Sequence, residues 1–264
     1  VVGQDSKRAR KTPDRTRRDR NDTVWLFGIH AVREALENPL REKIRLILTK
    51  NASDRLADAL DLGGITAEIV DPRKFSAPLD PQSVHQGAAI EVKPLDWGSV
   101  SELCAVRRND NPVVLLLDRV SDPHNVGAIL RSAEVFGARA VIAPRRHSAP
   151  ETGALAKAAS GALERQPYLQ VPNLARSMGA LIEMGYKIFG LDGEAEASLE
   201  DALHVHGPGP IALALGSEGP GLRALTKETC TELVQISASG GFGSLNVSNA
   251  AAVALYAARK AHDS

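Results

Sequence analysis

Five polar side chains stand where apolar runs break into turns. Asn125 and Arg131 follow the run VVLLLD, which ends at Asp118. Glu218 sits in the turn SEGPGL after the run PIALALG. Ser244 and Asn246 follow VQI and the turn SASGGFG. A guanidinium presents a planar fork of donors that matches phosphate oxygens. The two amides and the hydroxyl can orient a polar ligand, and a carboxylate can orient the groups around it. Glycines in the intervening turns let backbone approach a ligand closely. Each residue also has a plain structural account. Asn125 and Ser244 could serve as helix caps, Asn246 as a first-turn polar residue, Arg131 as a solvated helix residue and Glu218 as an exposed turn carboxylate. Their recurrence after three apolar runs favours one shared ligand-handling edge.

Several other chemistries lack their signatures. No GxGxxG follows the first apolar run of the larger unit, and no GxxxxGK[ST] occurs anywhere. No Ser-His-Asp order can be assembled around His124. His204 and His206 in HVHGPG would form a two-histidine strand pair, but no carboxylate or cysteine pattern accompanies them. No metal is therefore expected.

The elements that must position these residues alternate between strand and helix patterns. Ile29, Val32 and Leu36 recur at helical spacing and predict a helix from about Ile29 to Glu37, stopped by Asn38-Pro39. IRLILTK, TAEIV and AAIEVKPL read as strands, and SDRLADALDLGG reads as a helix capped by Ser53. This small α/β unit ends near Pro94, and the polar stretch 95–111 reads as a boundary. From VVLLLD onward, strands ARAVIAP, YKIFGL, PIALALG and VQI alternate with helices. The last is a long Ala-rich helix near 245–261. A continuous apolar strand is buried on both faces, and the alternation argues for a mostly parallel α/β sheet. Functional groups of such sheets lie beyond the carboxyl ends of the strands, which is where the three motifs fall.

Charge and composition narrow the class. The 264 residues balance 32 basic against 32 acidic side chains, so there is no global pull toward polyanions. Residues 1–22 differ, with eight Lys or Arg against four Asp and almost nothing apolar. Such a segment cannot repay its ordering entropy by burial, but it can gather phosphate contacts. It reads as a disordered basic arm. Aromatic residues are only 4%, which disfavours an array of base-stacking rings. Cys104 and Cys230 stand far apart and read as reduced thiols of a cytoplasmic protein. No secretory or membrane-spanning segment is expected.

Taken together, NVGAILRSAEVFGA, LGSEGPGL and SLNVSNAAAVALY resemble the SpoU/TrmH family of RNA ribose 2′-O-methyltransferases, over about residues 112–264. GIHAVREAL, HQGAAIEV and RALTKETCTEL resemble a bacterial subgroup that modifies a guanosine of 23S ribosomal RNA, extending the likeness to about residues 26–261. The resemblance implies an α/β trefoil-knotted methyltransferase domain over 112–264, although knots are rare in general. It also implies a small ribosomal-protein-like α/β RNA-recognition domain over 23–95, with a linker at 96–111. It implies S-adenosylmethionine as cofactor, RNA as substrate (23S ribosomal RNA in that subgroup) and a homodimer. Carried over by motif, Asn125, Arg131, Glu218, Ser244 and Asn246 are catalytic, while Gly216, Ile236 and Leu245 contact the cofactor largely through backbone. One departure is Ser237-Ala238-Ser239-Gly240, where many relatives carry a Pro-Met-Gly-like turn. Transfer RNA ribose methylation, or a non-catalytic RNA-binding module, are the alternatives.

Overall fold

The computed structural model describes residues 23–108, 110–237 and 245–263. The basic arm and Ser244 lie outside the described residues. In the first unit, β1 (Val24–Phe27), α1 (Ile29–Glu37), β2 (Lys43–Thr49), α2 (Lys50–Arg55), α3 (Ala57–Gly63), β3 (Ala67–Val70) and β4 (Ala88–Val92) follow in order. The sheet order is β1-β4-β2-β3. Ile29, Val32 and Leu36 of α1 are buried, as their spacing requires. The cap assigned to Ser53 is corrected. The helix starts earlier, with Thr49 accepting from the Ala52 amide, and breaks at Leu56 into α2 and α3. Within the stretch 96–111, Ser99 and Glu102 form a capping box that starts the short helix α4 (Val100–Leu103).

The second unit comprises β5 (Val113–Asp118), α5 (Pro123–Val135), β6 (Ala140–Pro144), α6 (Gly153–Ala159), α7 (Ala162–Arg165), β7 (Tyr168–Val171) and α8 (Leu174–Glu183). These are followed by β8 (Lys187–Leu191), β9 (Ala197–Ser198), α9 (Leu199–His206), β10 (Ile211–Gly216), α10 (Ala224–Thr229), β11 (Glu232–Gln235) and α11 (Val247–Asp263). The sheet order is β7-β6-β5-β10-β8-β11-β9, and every pairing within it is parallel. All six residues of β5 are buried, in keeping with a central strand covered on both faces. Each buried Leu or Val there contributes about 1.5–3 kcal/mol relative to exposure. Strand β7 was not expected from the sequence. His204 and His206 lie in the last turn of α9 rather than on a strand.

Helix packing fixes the layer over the site. A Cβ on Gly127 would lie 2.5 Å from the Ala158 Cβ, so α5 and α6 approach closely only because position 127 has no side chain. Helix α11 lays Ala251, Ala254, Leu255 and Ala258 into the same core. That core runs without interruption from β1, α1 and β4 of the first unit to β5, α5 and α11 of the second.

A buried ion cluster also spans the units. The Arg41 guanidinium donates from Nε and Nη2 to the two Glu164 carboxylate oxygens, at 3.0 and 2.7 Å. Its Nη1 reaches the Lys93 carbonyl at 2.8 Å and Glu151. Asn38 Nδ2 adds a bond to Glu164 at 2.8 Å. Burial opposes the charge on Arg41, but Glu164 and Glu151 more than offset it and hold its pKa above the ordinary value. Burial pushes the Glu151 carboxyl above its ordinary value, against the pull of Arg41. Among the described residues, no helix is long and apolar enough to cross a membrane.

Candidate functional site

Strands β5 and β10 are parallel neighbours in a register that pairs Asp118 with Gly216. Their carboxyl ends therefore release two loops side by side. The first leads into α5. Asp122, not Asn125, is the N-cap, accepting from the His124 amide at 2.9 Å. Asn125 sits in the first turn with its side chain free for other work. It donates from Nδ2 to Glu218 Oε1 at 3.1 Å, across to the second loop.

Asn246, just before α11, completes the cluster. Its Nδ2 donates to Glu218 Oε1 at 2.6 Å and to Asn125 Oδ1 at 3.0 Å. Its own Oδ1 accepts from the Ser248 amide at 2.9 Å and hydroxyl at 2.6 Å. The Asn246 amide is thus held at both ends, and Glu218 Oε1 takes two donors. Glu218 Oε2 accepts nothing from the described residues. The result is a surface-accessible, pre-oriented set of one carboxylate and two amides, suited to fixing a sugar hydroxyl.

The loop carrying Glu218 is anchored from behind. Asp118 is fully buried and accepts from the Arg223 amide at 3.0 Å, Arg223 Nε at 2.7 Å and Thr226 Oγ1 at 2.7 Å. Ser217 and Gly221 bridge across the turn, with the Gly221 amide 3.0 Å from the Ser217 carbonyl. A Cβ on Gly216 would fall 2.1 Å from the Gly221 carbonyl carbon, so only glycine allows the loop to fold back onto its own strand. Sequence reasoning marked Asp118 only as a strand end. The signal for its role was a carboxylate closing a wholly apolar run, which burial obliges to find several donors.

The structure thus brings Asn125, Glu218 and Asn246 together. Arg131 is exposed two turns further along α5 and makes no hydrogen bond or ion pair with the described residues. Ser244 cannot be placed. Gly216 lies at the end of β10, Ile236 is half-buried just past β11, and Leu245 is 48% exposed beside Asn246. Strands β10 and β11 flank β8, so Gly216 and Ile236 share one end of the sheet. Leu245 leaves apolar surface exposed, while Gly216 is closely packed by the Gly221–Leu222 backbone. Among the described residues no group of three or more His, Cys, Asp or Glu could hold a metal. His206 Nε2 instead faces Glu232 Oε2 at 3.1 Å. Burial pushes the Cys104 and Cys230 thiols up to about 11, which leaves neither as a ready nucleophile at neutral pH.

Comparison with known proteins covers both units. The SpoU rRNA Methylase family matches residues 112–256, and a domain described as RNA 2'-O ribose methyltransferase substrate binding matches residues 25–97. The chain is 40% identical over 244 residues to the 23S rRNA (guanosine-2'-O-)-methyltransferase RlmB of Photobacterium profundum, across 90% of this chain and 97% of that one. The SpoU methyltransferase AviRb from Streptomyces viridochromogenes, solved in complex with AdoMet, aligns with a TM-score of 0.75 at 23% identity, over 95% of this chain and 94% of that one. A TrmH-family protein from Porphyromonas gingivalis aligns with a TM-score of 0.72 at 26% identity, over 94% and 93% of the two chains.

Proposed function

Because this chain belongs to the SpoU rRNA Methylase family, we propose that it methylates a ribose 2′-hydroxyl of RNA, at a guanosine of 23S ribosomal RNA. The observation that carries this reading is the Asn125–Glu218–Asn246 cluster at the joined ends of β5 and β10. When bound, S-adenosylmethionine supplies a methyl group already activated on a sulfonium. Gly216, Ile236 and Leu245 hold it, largely through backbone. Asn125 and Asn246 fix the Glu218 carboxylate, and its open Oε2 accepts a hydrogen bond that orients the ribose. Arg131 carries its planar fork of donors on α5, further along the helix from Asn125. It anchors an RNA phosphate and stabilises the negative charge that builds on the ribose oxygen. Ser244 belongs to the same set by its place in the motif.

Three further features follow from this reading. The residue 112–264 unit carries the trefoil knot of its family. Work on ribosomal RNA places the protein in the cytoplasm. Two copies associate through α5 and α11, where Val135 and Tyr256 leave 77% and 54% of their surface exposed. Sedimentation at working concentration tests the last point, and a fully active monomer would exclude it. Mapping 2′-O-methyl sites in cellular RNA with and without the protein tests the function. Loss of one 23S guanosine mark is expected. Loss of a transfer RNA mark, or of none, would transfer the reading to the corresponding alternative.

A further inference from the structure

A cleft of about 410 Å³ opens on the loop that carries Glu218. Ser217 and Arg223 line it from that loop, Arg119 and Ser121 from the end of β5, and His147 from the end of β6. It therefore sits on the carboxyl ends of three adjacent strands, next to the candidate catalytic cluster. No carboxylate lines it. Arg119 and His147 make no hydrogen bond or ion pair with the described residues. Arg223 is tied through Nε to buried Asp118, which fixes its guanidinium, yet it remains 47% exposed. Arg145 and Arg146, exposed beside His147, also lack side-chain partners among the described residues.

Backbone conformation singles out two of these residues. Four non-glycine residues among those described adopt positive φ, and two of them are Arg119 at 64° and His147 at 63°. The other two have local reasons. Gln86 accepts from the Ile29 amide with its side chain, and Ser160 ends α6 as its C-cap. Arg119 and His147 have no such compensation. Glycine would occupy either position without strain. Strain kept where a side chain lines a cleft points to work done by that side chain.

We infer that Arg119, His147 and Arg223 form a subsite for a phosphodiester of the RNA beside the methyl-accepting ribose. This rests on the function proposed above. Donors from a fixed guanidinium, a second guanidinium, an imidazole and two serine hydroxyls suit phosphate oxygens. The cofactor carboxylate is another anion of similar chemistry. The cleft adjoins Gly216 through Ser217, but neither Ile236 nor Leu245 lines it, and the run Arg145-Arg146-His147 continues its positive charge outward. A polyanion needs such a continuation, and a single carboxylate does not.

The test uses full-length Arg119→Gly and His147→Gly, which remove the side chains and relieve the backbone. Thermal midpoints should hold or rise, showing that both variants fold. Affinity for a 23S rRNA transcript should weaken by about three- to tenfold at low salt in each variant, and for Arg119→Gly the slope of log K against log salt should flatten by roughly 0.7. Arg119→Lys should keep most of the affinity. S-adenosylmethionine affinity, measured by calorimetry, should stay within about twofold. Unchanged RNA affinity in both glycine variants, with an unchanged slope for Arg119→Gly, would overturn the inference. So would loss of cofactor affinity in place of RNA affinity, which would assign the cleft to the cofactor carboxylate. A wild-type protein that methylates no RNA would defeat the proposed function, while the binding comparison would still decide the subsite.

Discussion

Replacing Arg41 with alanine should destabilise the whole chain rather than its first unit alone. The side chain is fully buried and faces Glu164, which is nearly as buried, and Glu151. Its removal leaves two carboxylates in the interior without their countercharge, and frees the Lys93 carbonyl. Breaking a buried pair in this way costs about 3–5 kcal/mol. At roughly 2–4 °C per kcal/mol for a chain of this size, the melting midpoint should fall by about 6–20 °C. The loss should also depend on pH. Glu151 already titrates above its ordinary value because of burial. A carboxyl whose pKa is raised on folding stabilises most at low pH, and that contribution declines as pH rises past the unfolded value of about 4.3. Without Arg41, which pulls the Glu151 carboxyl down, that group shifts further in this direction. The variant should therefore lie closer to wild type at pH 5 than at pH 8. Adding Glu164→Gln should recover part of the loss, with a coupling of about 1–3 kcal/mol. Thermal melts across that pH range decide the matter. A midpoint shift under about 2 °C, flat with pH, would refute the reasoning.

Arg131→Ala should slow single-turnover methylation at saturating RNA by roughly 10²–10³, while calorimetry finds cofactor affinity little changed. Near-normal transfer would remove Arg131 from the site. Asn246→Ala withdraws both bonds that its amide makes to Glu218 and Asn125. Misplacing the cluster should cost about 10²-fold in transfer rate, with the fold intact by circular dichroism. Asp118→Asn keeps the shape but loses charge opposite Arg223, so at roughly 1.5–3 kcal/mol per charged hydrogen bond it should loosen the 217–223 loop. Hydrogen exchange of the Arg223 amide reports this directly, and unaltered protection would contradict the anchoring role.

Where local pattern dictated structure, the sequence was readable. VVLLLD could only be a strand buried on both faces, and the spacing of Ile29, Val32 and Leu36 set α1 to its observed ends. The juxtaposition of Asn125, Glu218 and Asn246 was anticipated because all three follow strand ends. Caps were harder to read. Thr49 took the role given to Ser53, and Asp122 the cap that was the plain structural account of Asn125, since several residues near each helix start could accept the same amide. Strand β7 has only four residues, too few for a period to show. In α9 the Ser198 cap marks the helix start, but the run LEDALHVH is too short for its period to stand out. Arg41 was illegible, because its partner Glu164 lies 123 positions away and a lone Arg after Asn-Pro-Leu looks like a solvated turn.

The pairing of β5 with β10 has a consequence for synthesis. Their partnered residues lie roughly 100 positions apart. A ribosome adding about 5–20 residues per second leaves β5 without that neighbour for about 5–20 s. During this interval only β6 can cover β5, and its other edge presents an unbroken apolar strand. Such an edge is a template for mispairing between nascent chains. A holdase chaperone acting in that window would protect the chain. Asn246 joins Asn125 and Glu218 only from the entrance to α11, so the three-residue cluster forms last in synthesis.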